Sequence, residues 1–366
     1  MNKQTKRVFN FGAGPGVLPT EVLEIARDDL LSWHGLGYSI MEIGHRTPEF
    51  AAMATNSEND LKTLLNLPDN YQIIFMQGGA TLQFSMIAMN FLKPGLTADY
   101  FNTGIWSRKA YNEAKRYGQI NVVTEVPDAK PVAIPEKSQW QLDKNAAYAH
   151  LCLNETIDGV EFHDVPDTAE VPLIADVSSC FLARELNISK FGMIYAGAQK
   201  NAGCAGITMI IIRDDLLVEP IPTTPTLLSY KTQAENHSMY NTPAMFSWYI
   251  SGLVFKWMLQ QGGVQAMAEQ NRRKAKKLYD FIDQSEFYYN SVDLNSRSNV
   301  NIPFLLRDEA LNPAFLKQAD AAGLVNLKGH RLVGGMRASL YNAMPETGVD
   351  ALIDFMDDFA RKYHGI

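Results

Sequence analysis

Cysteine is scarce in this chain: only Cys152, Cys180 and Cys204 occur among 366 residues, and no two have C-x-x-C spacing. This excludes a disulfide scaffold and a paired-cysteine metal site, and no metal is expected. Each thiol lies in or beside an apolar or small-residue run, so the three read as reduced and mostly structural. Long apolar runs are also missing. The longest, residues 244–259, contains Ser247, Ser251, Gly252 and Lys256 and is too short for a membrane span. It reads as a buried helix, with Pro243 suited to its first turn and Gly262 and Gly263 to its stop. There is no basic excess: 33 Lys and Arg face 40 Asp and Glu, a net charge of −7 that argues against a nucleic-acid or anionic-membrane partner. The exception is NRRKAKK at residues 271–277, which reads as the solvated face of a helix. No targeting segment is evident, because Gly12, Gly14, Pro15 and Gly16 interrupt the sequence after the basic MNKQTKR. A cytoplasmic protein is expected, and neither repeats nor low-complexity segments stand out.

What is present alternates between short apolar runs and helical patterns. Strands are expected at residues 72–76, 98–102, 120–126, 148–153, 173–176, 193–196 and 207–213, with helices at 20–33, 48–65, 82–90 and 107–117. That order predicts an α/β fold, a mostly parallel sheet between helices with function at the strands' carboxyl ends. Beyond Gly263, long amphipathic helices at 264–284 and 348–363 flank strands at 298–305 and 336–340, as in a smaller α+β domain. The length exceeds what one core usually serves, so a large domain at 17–263 and a small one at 264–366 are expected, with residues 1–16 as an arm.

Chemistry concentrates in MIYAGAQKNAGCAG, residues 193–206, where Lys200 ends an apolar run inside a loop of small residues. A partly desolvated ammonium has a lowered pKa, which brings the neutral, Schiff-base-forming amine within reach of neutral pH. Upstream, PLIADVSS places Asp176 at the end of another apolar run. A carboxylate there is costly to desolvate unless it meets a cation, and a protonated pyridine nitrogen fits. Lys200 and Asp176 on neighbouring strand ends could hold the two poles of pyridoxal 5′-phosphate.

The glycine-rich FGAGPG is not a dinucleotide fingerprint, because Pro15 and Gly16 break its register and too few residues precede it. A better phosphate cradle is QGGATLQF at residues 77–84, which follows a strand and opens a helix. Free amides and the helix dipole make such a position an anion site, with Ala80 and Thr81 as donors.

Seven segments in order resemble the phosphoserine aminotransferase family of fold-type I enzymes: FGAGPGVLP, GYSIMEIGHR, QGGATLQF, NETIDGV, YAGAQKNAG, MYNTPAMFSWY and KGHRLVGGMRASLYNAMP. The resemblance implies that Lys200 and Asp176 are catalytic and that pyridoxal 5′-phosphate is the cofactor. It also implies that Trp106 stacks on the pyridine ring, Thr156 bonds its 3′ oxygen, and Gln199 reaches the phosphate. Family members vary at Ala80 and Thr81, so a backbone role is expected there. Asn241 and Thr242 would reach the cofactor of a partner subunit, which makes a homodimer with shared sites. Arg337 would clamp the substrate α-carboxylate, and His45, Arg46, His330 and Arg331 would supply charge and donors for a substrate phosphate. The implied reaction is reversible transamination between L-glutamate and 3-phosphohydroxypyruvate, giving O-phospho-L-serine and 2-oxoglutarate on the way to serine. Use of 3-hydroxy-2-oxo-4-phosphobutanoate in pyridoxine synthesis is a further family expectation. Cys204 is the one thiol near the lysine loop that a desulfurase-like alternative would need, and its Gly203 and Ala205 neighbours suit packing better.

Overall fold

The computed structural model describes residues 7–126 and 132–363. Its main sheet has seven strands: β1 (Tyr71–Met76), β2 (Thr97–Asn102), β3 (Gln119–Glu125), β4 (Ala149–Cys152), β5 (Leu173–Asp176), β6 (Met193–Gly197) and β7 (Thr208–Arg213). They lie in the order β1-β7-β6-β5-β4-β2-β3. Only β7 runs against its neighbours β1 and β6, and the other pairings are parallel. Apart from the edge strand β3, the strands are largely buried on both faces and read as apolar runs for that reason.

Helices cover the two faces separately. On one side α2 (Pro48–Leu65) packs against α6 (Met245–Gln260), joined by α1 (Thr20–Asp29). The start of α2 is set locally: the Thr47 side chain accepts the Phe50 amide at 3.3 Å, Pro48 opens the first turn, and Asn66 closes the helix in the left-handed region. On the other side lie α3 (Gly79–Phe91), α4 (Ile105–Ala114) and α5 (Tyr230–Glu235). No helix among the described residues is long and apolar enough to cross a membrane.

The C-terminal part carries α7 (Gly263–Asp283), α8 (Asn312–Ala321) and α9 (Glu346–Tyr363) around a small antiparallel sheet of β8 (Tyr288–Tyr289), β9 (Asn301–Leu306) and β10 (Met336–Ser339). Helix α7 serves both cores: Val264 and Met267 join the main-sheet cluster, whereas Ala275, Leu278 and Ile282 join the small one. The arm is tied to the small part too, since Phe9–Asn10 pairs in parallel with Leu324–Val325 and Phe11 is buried there.

The segment 271–277 corrects the expectation of a wholly solvated basic face. Arg273, Lys276 and Lys277 are exposed, but Asn271 is 1% exposed and Lys274 0%. The Lys274 ammonium donates to the carbonyls of Leu340, Tyr341 and Met344 at 3.2, 2.9 and 3.0 Å. Helical spacing turns these two residues inward while their basic neighbours face water.

Candidate active site

Strands β5 and β6 run in parallel register with Asp176 opposite Tyr195, so their carboxyl ends bring Asp176 and the Lys200 turn together. Asp176 is 6% exposed and its Oδ1 accepts the Ser178 amide at 2.9 Å. Burial raises its carboxyl above the ordinary range, and the charge of Lys200 pulls it back. Lys200 Nζ donates to Thr156 Oγ1 at 2.7 Å. The residue as a whole is half-buried, yet its ammonium lies deep: burial pushes its pKa down, against the raising effect chiefly of Asp176. The reactive neutral amine is therefore more accessible than in a free lysine.

Around this pair the remaining groups come from separate elements. Trp106, near the start of α4, presents its ring with the Lys200 Nζ 5.7 Å from the centroid. Thr156 lies in the turn between the short strands Asn154–Glu155 and Val160–Glu161, and its carbonyl accepts Arg337 Nη1 at 3.5 Å. Arg337 projects from β10 with a buried Nε that has no partner among the described residues, and burial lowers its pKa. Helix α3 packs on β6 and opens through Gly78 and Gly79 at φ 95° and 65°, with Ala80 and Thr81 in its first turn. Gln199 is half-buried, and its carbonyl accepts the Gly16 amide at 2.7 Å. The FGAGPG arm is thus a turn lying over Lys200. A Cβ on Gly16 would fall 2.6 Å from the Tyr341 ring and 3.0 Å from the Lys200 carbonyl, so only glycine fits there.

The other expected residues sit apart within one chain. Asn241 and Thr242 are exposed, with the Thr242 carbonyl accepting Gln77 Nε2 at 3.3 Å. Arg46 and Arg331 are exposed, and His45 carries a buried Nε2 without a partner among the described residues. His330 lies near enough to Asp158 for its charge to favour that carboxylate. Among the described residues, none of these hydrogen-bonds or ion-pairs with Lys200, Asp176 or Arg337. Sequence reasoning missed Glu155 and Asp158, which flank Thr156, and Asn201, whose Oδ1 accepts the Asn342 amide at 3.0 Å. The usable signal was the density of polar groups in NETIDG between two apolar runs.

Pyridoxal 5′-phosphate needs an amine for its aldehyde, an acid for its ring nitrogen, a flat aromatic face and an anion cradle. The residues present fit: Lys200, Asp176, Trp106 and the opening of α3 could supply these in turn, and the buried Arg337 Nε has no partner among the described residues.

Comparison with known proteins places the chain in a family. The aminotransferase class-V model matches residues 8–352. The chain is 56% identical over 354 residues to phosphoserine aminotransferase of Hahella chejuensis, covering 97% of this chain and 98% of the relative. It is 52% identical over 361 residues to the Pseudomonas putida enzyme of that name, covering 99% and 100%. Among solved structures, phosphoserine aminotransferase from Bacillus circulans subsp. alkalophilus superposes with a TM-score of 0.95 at 46% identity over 97% of this chain and 99% of that one. PLP-bound phosphoserine aminotransferase from Trichomonas vaginalis gives 0.93 at 41% identity over 96% and 100%. The chain belongs to the class-V aminotransferases and, within them, to the phosphoserine aminotransferase family.

Proposed function

We propose that this chain catalyses reversible amino transfer between L-glutamate and 3-phosphohydroxypyruvate, forming O-phospho-L-serine and 2-oxoglutarate in serine biosynthesis, with pyridoxal 5′-phosphate as cofactor. The observation that carries the reading is the deep Lys200 amine on Thr156 Oγ1, with the buried Asp176 at the adjoining strand end. When bound, the cofactor supplies an aldehyde that captures amines and a ring that takes up electron density. Lys200 Nζ would hold it through that aldehyde, and the lysine's free amine would move the proton at the substrate Cα. Asp176 keeps the ring nitrogen protonated, a role its burial reserves for a cationic partner. Trp106 orients the ring by its flat face. Thr156 would donate to the ring oxygen, while Ala80, Thr81 and Gln199 would hold the phosphate. Arg337 binds the substrate α-carboxylate, and its unpartnered Nε supports that role.

His45, Arg46, His330 and Arg331 bind the substrate phosphate, and Asn241 with Thr242 completes a partner's cofactor site. A cytoplasmic homodimer is the matching assembly. Supporting it, large apolar side chains stand exposed on the same segments: Leu31 and Met41 before His45, Tyr240 beside Asn241 and Leu332 beside Arg331.

The test is phosphoserine-dependent formation of glutamate from 2-oxoglutarate by purified protein, with serine as the comparison. Charge-assisted hydrogen bonds contribute about 1.5–3 kcal/mol each, so phosphoserine should exceed serine by orders of magnitude in kcat/KM. Equal efficiency, or an Arg331→Ala variant unaffected with phosphoserine, overturns the substrate assignment. For the shared site, mixing inactive Lys200→Ala and Thr242→Ala proteins should restore activity through hybrid dimers. A strictly monomeric, fully active enzyme in sedimentation overturns that part.

A further inference from the structure

Beside Thr156 stand two acids, Glu155 buried and Asp158 half-buried, whose partners lie on a different element. Glu155 is fully buried; its Oε2 accepts the Trp106 amide at 2.9 Å and its Oε1 the Ser107 amide at 2.8 Å. Asp158 Oδ2 accepts the Ile105 amide at 3.0 Å. Three consecutive amides at the start of α4, which an isolated helix leaves without acceptors, therefore all end on two carboxylates of one turn. The approach is close enough to exclude a side chain: a Cβ on Gly104 would lie 2.5 Å from Glu155 Cδ and 2.6 Å from Asp158 Oδ2. The Ser107 side chain of α4 serves the chain before the helix instead, its Oγ accepting the Thr103 and Gly104 amides at 2.8 and 3.0 Å. The two carboxylates are thus the acceptors of the helix's own first three amides.

Such a pair is expensive. Burial raises both acids, and the charge of Asp158 raises Glu155 further, against the amides that favour ionisation. An uncharged acceptor would terminate the helix with less desolvation. What the charged pair adds is rigidity between α4 and the turn. Thr156, lodged between the acids, meets Lys200 through its hydroxyl and Arg337 through its carbonyl. One short segment thus fixes the Trp106 backbone, the Lys200 amine and the Arg337 fork relative to one another.

We infer that Glu155 and Asp158 are positioning residues that set the plane of the Trp106 ring over the Lys200 amine and thereby the orientation of the bound cofactor. The inference rests on the reading above that Trp106 faces the cofactor ring. Its consequence is specific: the two acids act on turnover through Trp106, so their effect should vanish when that ring is absent.

The experiment is a double-mutant cycle on the holoenzyme, with Glu155→Gln, Trp106→Ala and the double variant, read by visible circular dichroism of the bound cofactor and by kcat with phosphoserine. Gln keeps the shape but turns one acceptor into a donor facing an amide. Glu155→Gln should lower kcat by roughly ten- to a hundredfold, as expected for a lost charge-assisted bond, and shift the dichroism toward that of Trp106→Ala. In the Trp106→Ala background it should change neither further. Equal losses in both backgrounds, or a lowered thermal midpoint with unchanged dichroism, overturns the inference by leaving a purely structural cap. Unchanged dichroism in Trp106→Ala itself overturns the facing of the ring as well. If Glu155→Gln does not fold, Asp158→Asn, which touches only the Ile105 amide, is taken through the same cycle with a smaller shift in the same direction.

Discussion

Two lysines in this molecule lie deep in protein and have lowered pKa values, yet they do opposite things. Lys200 meets one hydroxyl, a nearby carboxylate and an aromatic face. Lys274, pushed down by burial to about 7, meets three backbone carbonyls. An ammonium has three donors and no acceptor, so the carbonyl triad uses up all of them and holds the group in place. At Lys200 only one donor is taken among the described residues, and the stem rises from a turn instead of a helix. The two lysines therefore differ in the number of fixed partners, since burial is common to both. Lys274 joins α7 to the 340–344 segment, and Asn271 one turn earlier reaches Ala183 and Asn342 at 3.0 and 2.8 Å, so this region binds the two cores together.

The strongest way to break the comparison is Lys200→Ala. Loss of the amine should lower turnover by at least about 10²–10⁴-fold from its acid–base role alone, with thermal stability of the apoprotein unchanged or raised. Borohydride reduction of the wild-type holoenzyme followed by peptide mass analysis should place the cofactor on Lys200 and leave Lys274 unmodified. Modification of Lys274 at a comparable level would erase the distinction.

Next in size is Lys274→Met, which takes a donor from three carbonyls, of which Tyr341's keeps the Met344 amide at 2.9 Å. Unfolding measurements should show a loss of about 3 kcal/mol, offset in part by removal of a buried charge, while kcat per folded molecule stays near wild type. A kcat loss rivalling that of Lys200→Ala would mean that the region acts on chemistry.

The titration of Lys274 sharpens the same point. Its folded pKa of about 7 lies below the ordinary 10.5 of the unfolded chain. The folded state thus binds fewer protons between these values, so its contribution is present above the unfolded pKa and lost as pH falls through the folded one. Relative to Lys274→Met, wild type should gain up to about 1 kcal/mol per pH unit on going from pH 7 to 10. A flat difference in paired denaturation curves would show that the carbonyls keep the group charged throughout.

The smallest effect belongs to the outer face of the same helix. Lys276 pairs with Asp280 at 2.6 Å in an exposed i,i+4 contact. Lys276→Ala should change stability by less than about 0.5 kcal/mol, with salt removing most of it. A larger loss in denaturant titration would mean that NRRKAKK is cooperative in a way its exposure does not suggest.

Much of the fold was legible because burial leaves local marks. Strand Leu173–Asp176 and helix Pro48–Leu65 fall where the apolar run and the helical pattern put them. Helix Asn312–Ala321 was not expected, since its short amphipathic pattern lies between two stronger elements. The reach of α3 was also underestimated: it begins at Gly79, because two glycines at positive φ let the chain enter the helix at once. In the site, Lys200 and Asp176 stood out as charged groups ending apolar runs. Glu155 and Asp158 did not, because a carboxylate in a polar turn looks the same whether it faces water or a helix end 50 residues away.

The sequence by itself determined the layers of this protein, the strand ends that carry its chemistry and the types of group available there, since periodicity and residue type are local properties. Only the tertiary structure decided which groups meet. It set Thr156 on Lys200, Glu155 on the start of α4, and Lys274 inward among its exposed neighbours. These are distance relations between segments remote in the chain, and a charge acquires its pKa and its partners only when folding has fixed what surrounds it.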